Sequence, residues 1–178
     1  EKILLIPMGC ARLRISAFPT VGTGPDAHEW VAPPEPAEPL PTRASHCWGG
    51  DTVNACSDKL LPASSNDHSI PRLTWWDHKG TSEYVQYDFP EPRKISSVDV
   101  YWFDDTGRGG CRTPESWRIL YEKDGRFEPV SNPTEYGIAR DRFNKVSFDE
   151  IQTKSIRLEV QLQQGYSGGI LEWRVFPE

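Results

Sequence analysis

Apolar and polar residues alternate with a period of two through most of the second half of the chain. The clearest segment is residues 154–162, "KSIRLEVQL", in which every second residue from Ile156 to Leu162 is apolar. Such alternation is typical of a β-strand with one face against a core. An apolar period of 3.6 does not persist for three helical turns anywhere in the sequence, so the pattern predicts strands rather than helices.

Turn signals such as "EPRK", "KDGR" and "SNPTEYG" separate the alternating segments, which indicates short strands joined by tight connections. Short alternating strands at this spacing favour an all-β fold, in which two antiparallel sheets form a β-sandwich. The predicted strands are residues 84–89, 95–103, 116–122, 127–130, 143–148, 154–162 and 168–176.

The first part of the chain has a different organisation. Residues 1–22 predict two short strands around a "PMG" turn, and residues 23–43 predict a stiff linker, because residues 32–43 contain five prolines. A rigid loop across the domain surface is the alternative for that linker. Residues 44–83 lack periodicity, and so long a loop system is usually functional. The main domain is therefore expected to span residues 44–178.

Composition excludes several classes of function. The 178 residues carry a net charge of −6, whereas general nucleic-acid binding needs a basic face. No apolar run reaches the length of a membrane span. Seven tryptophans and six tyrosines exceed what a core of this size needs, and aromatic rings suit the faces of sugars.

The four cysteines form no C-x-x-C pair, which disfavours a structural zinc site. Cys47 and Cys56 lie close in sequence and would form a disulfide if the domain is exported, although spacing alone cannot decide this. Cys10 and Cys111 are expected to be buried free thiols. The four histidines are scattered and form no metal-binding pair.

Several segments together resemble a discoidin, or factor V/VIII type C, domain over about residues 44–178. These are "TWWDHKGTSEYVQYDF", "VYWFDD", "PESWRILYEKDGRFEPV" and "SIRLEV" followed by "SGGILEWRV". The resemblance implies a galactose-binding-like jelly-roll β-sandwich.

A narrower resemblance concerns "ILLIPMGCARLRISAFP", "DDTGRGGCRTPESW" and "SGGILEWRVFP". These segments are similar to the C-terminal region of bacterial glycoside hydrolases of the β-L-arabinofuranosidase-like family. That resemblance implies that residues 1–22 are the last strands of a preceding β-sandwich domain. It also implies that a catalytic helical barrel lies upstream of this sequence.

The segment "TWWDHKG" contains the first candidate sugar contacts. Adjacent residues of an extended segment point to opposite faces, so one of Trp75 and Trp76 is expected to pack inward and the other to lie near the surface. An outward Trp76 beside His78 would form a platform for a sugar ring. An aromatic lid over the end of the sandwich is the alternative.

The segment "FDDTGRGGCRTPESW" contains two further candidates, Asp104 and Arg112. Both suit hydrogen bonding to sugar hydroxyls or to a uronate, and a salt-bridged structural loop is the alternative. Asp104 and Asp105 are neighbours and should diverge, which disfavours a pair of glycosidase acids. Tyr166, before the last strand, would stack on a ligand or simply form a hairpin tip.

Asp58, Ser65 and Glu172 are candidate ligands of a structural Ca²⁺, which the discoidin resemblance implies between the first long loop and the last strand. Lys59 follows Asp58, where the family has glycine. The alternative is that Glu172 accepts hydrogen bonds from loop N–H groups or pairs with an arginine. Strand alternation would place Glu172 on the face opposite Leu171, Trp173 and Val175.

These observations favour a non-catalytic accessory domain of a secreted or periplasmic bacterial glycoside hydrolase, which binds plant-type polysaccharide. The expected partners are that carbohydrate and the upstream catalytic domain of the same protein. A purely structural or dimerisation domain that packs on the catalytic barrel is the alternative. An enzymatic role for this fragment is disfavoured, because no acid, base or nucleophile constellation is present.

Overall fold

A computed structural model describes residues 40–177 of the chain. The predictions for residues 1–22, for Cys10 and for most of the linker lie outside these residues. The described part contains seven strands and one 3₁₀ helix, Val53–Ser57. The strands are β1 (Thr42–Ala44), β2 (Leu73–Thr74), β3 (Ser82–Phe103), β4 (Ser116–Lys123), β5 (Arg126–Pro129), β6 (Phe143–Gln161) and β7 (Gly169–Phe176).

Every strand pairing is antiparallel, so the predicted all-β antiparallel class is confirmed. β1 pairs with Val85–Tyr87 of β3 and begins two residues before the predicted domain boundary at residue 44. Within residues 40–177, no helix has the length and apolar character needed to cross a membrane.

β3 and β6 each join two of the predicted strands into one long strand. The prediction of a turn at "EPRK" is wrong, because residues 91–94 continue β3. The β3–β6 register shifts between Asp88 and Arg93 and again between Ile95 and Ser97. Such irregularities bend a strand, and the bend lets the two halves of β3 belong to different layers.

Two layers follow from this pairing. The first layer contains β1, Ser82–Asp88 of β3, Ser155–Gln161 of β6, β4 and β5. The second contains Ser97–Phe103 of β3, the start of β6, β7 and β2. The inward side chains of both layers form one apolar core, which confirms the predicted sandwich.

Large rings connect the layers across this core. Tyr87 of the first layer stacks on Trp173 of the second with ring centroids 4.1 Å apart. Trp102 meets Trp117 edge-to-face at 5.4 Å. The Tyr87 hydroxyl also lies 2.6 Å from the Cys56 carbonyl oxygen and 2.7 Å from that of Trp173, so it fastens the 3₁₀ helix to β7.

A bulge in β7 changes which of its side chains face the core. Tyr101 is opposite Glu172 but Trp102 is opposite Ile170, so Leu171 is an extra residue in β7. The expectation that Leu171 shares a face with Trp173 is therefore wrong. Leu171 instead belongs to a second apolar cluster, on the other face of the same layer, with Tyr101, Phe103 and Cys111.

Loss of the Tyr87 hydroxyl should destabilise the domain without disturbing its packing. Tyr87→Phe leaves the carbonyls of Cys56 and Trp173 buried without this donor, which should lower the free energy of unfolding by about 1–3 kcal/mol. Denaturant unfolding measures the change. Tyr121→Phe is the control, because the Tyr121 hydroxyl makes no hydrogen bond among the described residues; equal losses in both variants would contradict the prediction.

Candidate functional site

A cleft of about 200 Å³ opens at the loop end of the second layer, above the second apolar cluster. We call it the Trp48–Trp76 cleft, after the two indole rings that line it. Its lining residues are Trp48, Asp51, Arg72, Thr74, Trp76, Phe103, Asp105, Gly109, Gly110 and Cys111.

Close backbone approach holds both indole rings in place. A Cβ at Gly50 would come within 2.2 Å of the Trp48 ring, and one at Gly110 within 2.7 Å of the Trp76 ring. Trp75 is 0% exposed whereas Trp76 is partly exposed, which confirms that one ring of the pair packs inward. Trp48 is 44% exposed, so a large apolar surface faces solvent beside polar groups.

The polar wall of the cleft consists of paired charges. Asp51 Oδ1 lies 3.3 Å from Arg72 Nε, and Asp51 Oδ2 accepts a 2.5 Å hydrogen bond from the Thr74 hydroxyl. The Arg72 guanidinium lies 4.9 Å from the centroid of the Phe103 ring, in a cation–π arrangement. These contacts fix Arg72 and Asp51 in one geometry, so a ligand meets a preorganised donor and acceptor.

Asp105 belongs to the cleft, whereas its neighbour Asp104 does not. Asp105 Oδ1 accepts a 2.8 Å hydrogen bond from the Cys111 N–H and lies 3.5 Å from Arg112 Nη1. Asp104 accepts hydrogen bonds from Thr106 and Thr113 in a different cavity. The prediction that the two carboxylates diverge is confirmed.

The second cavity, of about 280 Å³, has no aromatic lining, and we call it the polar cavity. Burial disfavours the charge of Asp104, but the hydrogen bonds from Thr106 and Thr113 and the charge of Arg140 outweigh burial and lower the pKa of Asp104. The polar cavity is lined by Ser64, Ser65, Asn66, Asp104, Thr106, Arg140 and Asp141.

Two of the predicted sugar contacts support the cleft from behind and do not line it. Arg112 Nη1 donates to the carbonyls of Cys111, at 2.6 Å, and Gly109, at 3.1 Å, and so shapes the glycine loop. Tyr166 stacks on the Arg112 guanidinium at 4.5 Å. These contacts give Arg112 and Tyr166 a structural role at the rim.

His78 also lies away from the lining. Its Nδ1 is 2.6 Å from the buried carboxylate of Glu83, and its ring stacks on His46 at 4.1 Å. His46 Nε2 in turn lies 2.7 Å from the Trp76 carbonyl oxygen. The pair therefore braces the backbone that carries Trp76.

Of the ten lining residues, the sequence predicted only Trp76 as a ligand contact. The aromatic and charged residues that it missed are Trp48, Asp51, Arg72, Phe103 and Asp105. Trp48 and Asp51 flank two glycines in "CWGGD", and a tryptophan in a polar, glycine-containing loop was the available signal. Arg72 carried no such signal, because only the fold brings it to Asp51.

Of the three predicted calcium ligands, the structure brings together Glu172 and Asp58. Glu172 is 1% exposed and accepts a 3.2 Å hydrogen bond from the Lys59 N–H, as the alternative interpretation expected. Burial and the nearby charge of Asp58 raise the pKa of Glu172 to about 8. The hydroxyl of Ser65 instead accepts a hydrogen bond from the Asp141 N–H.

These two carboxylates suit a hard cation but supply only part of its coordination. Ca²⁺ takes six to eight oxygen ligands, so backbone carbonyls and water would have to complete the shell. Among residues 40–177, no cluster of three or more histidine, cysteine, aspartate or glutamate side chains could hold a metal ion.

Cys47, Cys56 and Cys111 are all free thiols in the structure. Burial raises the pKa of Cys56 well above its ordinary value, and it raises that of Cys111 to about 12. Both are therefore unreactive as nucleophiles at neutral pH, which agrees with a buried free thiol for Cys111.

The sequence and the fold were compared with known families and solved structures. The family model of the F5/8 type C domain matches residues 52–174.

Three solved structures illustrate the shared fold. A chain from the Streptococcus pneumoniae beta-galactosidase BgaA is 22% identical, with a TM-score of 0.67 over 84% of this chain and 96% of that one. A family 32 CBM from C. perfringens NanJ, in complex with galactose, is 17% identical, with a TM-score of 0.59 over 79% and 95%. Chitosan-binding module 1 from a Paenibacillus sp. IK-5 chitosanase/glucanase is 14% identical, with a TM-score of 0.57 over 79% and 96%.

Gly110→Ala should displace the Trp76 ring, because the new methyl group would come within 2.7 Å of it. We expect a shifted indole N–H resonance for Trp76 in NMR spectra and a loss of about 1–3 kcal/mol in stability. Gly49→Ala is the control, since its methyl group would meet no atom within 4 Å. An unshifted Trp76 resonance in Gly110→Ala would contradict this geometry.

Proposed function

The chain belongs to the F5/8 type C domain family, and we propose that it is a non-catalytic carbohydrate-binding module whose site is the Trp48–Trp76 cleft. The observation that carries this proposal is the combination of two indole rings with a fixed arginine and two carboxylates in one cleft. Sugars present an apolar C–H face and a polar edge of hydroxyls, and this cleft offers surfaces for both.

Recognition would divide between stacking and hydrogen bonding. The C–H face of a sugar ring would pack on Trp48 or Trp76, while Arg72 donates to ring or hydroxyl oxygens. Asp51 and Asp105 would accept from hydroxyls, and charge-assisted hydrogen bonds of this kind are shorter and stronger than neutral ones. Because these side chains are already fixed by one another, little conformational entropy is lost on binding.

The same contacts argue against catalysis in the cleft. A glycosidase needs one carboxylic acid free to give up a proton and one carboxylate free to attack or to activate water. Asp51 is ion-paired with Arg72 and Asp105 with Arg112, so each carboxylate here is held by a cation.

The proposal also covers the parent protein, its location and its ligand. We propose that this module is attached to a bacterial glycoside hydrolase of the β-L-arabinofuranosidase-like family, acts in the periplasm or outside the cell, and binds plant-type polysaccharide. The sequence resemblances supply the support. A single shallow cleft would bind weakly, and attachment to the enzyme would raise the local concentration of its ligand.

Calorimetric titration of the protein with arabinose-, galactose- and rhamnose-containing oligosaccharides tests the proposed function. We expect millimolar to micromolar binding to one series, and loss of at least tenfold in affinity in Trp76→Ala and Trp48→Ala, because burying about 60 Å² of apolar surface on an indole contributes about 1.4 kcal/mol, which is tenfold in affinity.

Leu61→Ala is the control, since it removes a 70% exposed apolar side chain outside the cleft and should change affinity less than twofold. Absence of binding across the whole panel would contradict the proposal and favour a scaffold that packs on the catalytic barrel. Loss of binding in Tyr166→Ala alone would move the site to the Arg112–Tyr166 rim.

We further propose that Ca²⁺ binds at Asp58 and Glu172 in a structural role. The support is a buried carboxylate, Glu172, beside a half-buried one, Asp58, whose mutual repulsion a cation would relieve, together with their hard oxygen chemistry. These residues would hold the ion between the loop after the 3₁₀ helix and β7, and the ion would order that loop.

Removal of Ca²⁺ by a chelator should lower the melting temperature by several degrees, and added Ca²⁺ should restore it. The gain should be larger at pH 8.5 than at pH 6, because protons compete with the cation for Glu172, whose pKa is about 8. Glu172→Gln should abolish the gain, whereas Glu150→Gln, an exposed control, should keep it. A melting temperature indifferent to chelator, with no metal by elemental analysis, would contradict the proposal.

A further inference from the structure

The Trp48–Trp76 cleft is small for a polysaccharide ligand. Its volume of about 200 Å³ lies below the roughly 300–1,000 Å³ of pockets that enclose drug-sized molecules. A sugar chain that places one ring in the cleft would therefore continue beyond it. The polar cavity, of about 280 Å³, lies at the same loop end of the sandwich.

One short segment separates the two spaces. Phe103 and Asp105 line the cleft, whereas Asp104 and Thr106 line the polar cavity. Because alternate residues of this segment face different cavities, a single stretch of backbone lies between the two spaces. Thr106, which lines the polar cavity, is exposed.

A chain of polar contacts also runs from one space to the other. Arg72 Nη1 lies 3.3 Å from His68 Nδ1, and because arginine can only donate, this nitrogen is the acceptor. The proton of a neutral ring is then on Nε2, which donates to Asn66 Oδ1 at 2.9 Å. Arg72 of the cleft and Asn66 of the polar cavity are thus oriented by the same imidazole, whose edge packs on Phe103.

The polar cavity is built from three segments that are tied together at one buried residue. Ser65 N–H donates to Asp141 Oδ1 at 2.7 Å, and Asp141 N–H donates back to Ser65 Oγ at 2.9 Å. The Ser65 carbonyl accepts a 2.9 Å hydrogen bond from the Asp104 N–H. Asp141 adopts a φ of 59°, a left-handed conformation that these bonds stabilise.

Several groups of the polar cavity keep hydrogen-bonding capacity for a ligand. The Arg140 side chain is 49% exposed, and its one ion pair among the described residues is the 3.5 Å contact with Asp104. The amide nitrogen of Asn66 and the hydroxyl of Ser64 make no hydrogen bond within residues 40–177. The polar cavity thus offers hydrogen-bond donors and acceptors but no aromatic ring, which suits a sugar held through its hydroxyl groups.

We propose that the polar cavity is a second sugar subsite, so that the module binds a neutral oligosaccharide of two or more residues across both spaces. One ring stacks in the cleft and the next is held by its hydroxyls at Asn66 and Arg140. A neutral sugar is favoured because Asp104 and Asp141 would repel a uronate carboxylate. This inference rests on the proposed function of the cleft.

Calorimetric titration with two series of probes tests it: galactose with its β-1,4-linked oligomers, and arabinose with its α-1,5-linked oligomers, each from one to four residues long. We expect affinity to rise about tenfold or more between one residue and two or three. Arg140→Ala should weaken trisaccharide binding by about 2- to 10-fold, which is the loss of one hydrogen bond, and leave monosaccharide binding within twofold.

Arg142→Ala is the matched control, because Arg142 is exposed, has the same charge and does not line the polar cavity. NMR titration adds a second readout: the Asn66 side-chain amide should shift further with a trisaccharide than with a monosaccharide.

Binding that Trp76→Ala abolishes but that does not depend on length or on Arg140 would overturn the second subsite and leave the proposed function intact. An unshifted Asn66 amide at saturating trisaccharide would do the same. Absence of binding by both series would overturn the two proposals together for these sugars.

Discussion

A β-strand places successive side chains on opposite faces, and the loop end of this domain depends on that constraint as β3 ends. Trp102 points into the core between the layers, and Tyr101 and Phe103 point to the outer face. The alternation continues past the strand, so Asp104 and Asp105 enter different cavities. A single stretch of backbone therefore gives the domain an aromatic space and a polar one, side by side.

At the loop end of the domain, the negative charges of three aspartates are balanced by neighbouring arginines and not by solvent. Asp51 lies beside Arg72, Asp105 beside Arg112 and Asp104 beside Arg140, so each of these three carboxylates has a nearby guanidinium. Buried charges without partners would cost several kcal/mol, which is why such pairs accompany acids placed so deeply. Glu172, farther along β7, is buried beside Asp58, and burial, together with the charge of Asp58, raises its pKa to about 8.

Alternation along the sequence predicted the strand segments of β3 to β7, because a strand with one buried face needs an apolar residue at every second position. It did not predict β1 and β2, which are only three and two residues long. It failed where the backbone departs from a regular strand. The extra residue Leu171 reverses the face that the pattern assigned, and the "EPRK" segment bends within β3 where a turn was expected. Neither irregularity is visible in the amino-acid composition or in the spacing of apolar residues. A bulge arises from how a strand pairs with its partner, which the sequence of one strand does not show.

The site was less predictable because it is assembled from distant segments. Trp76 was found from its position beside Trp75, whose buried ring requires the next one to face outward. The pairing of Arg72 with Asp51 and of Ser65 with Asp141 depends on loops that cross after the sheets have formed. The sequence does not show which residue Ser65 contacts. The family resemblance placed it in a calcium site with Glu172, whereas in the structure it forms hydrogen bonds with Asp141. Local alternation thus specifies the layers, and long-range loop contacts specify what the layers present to a ligand.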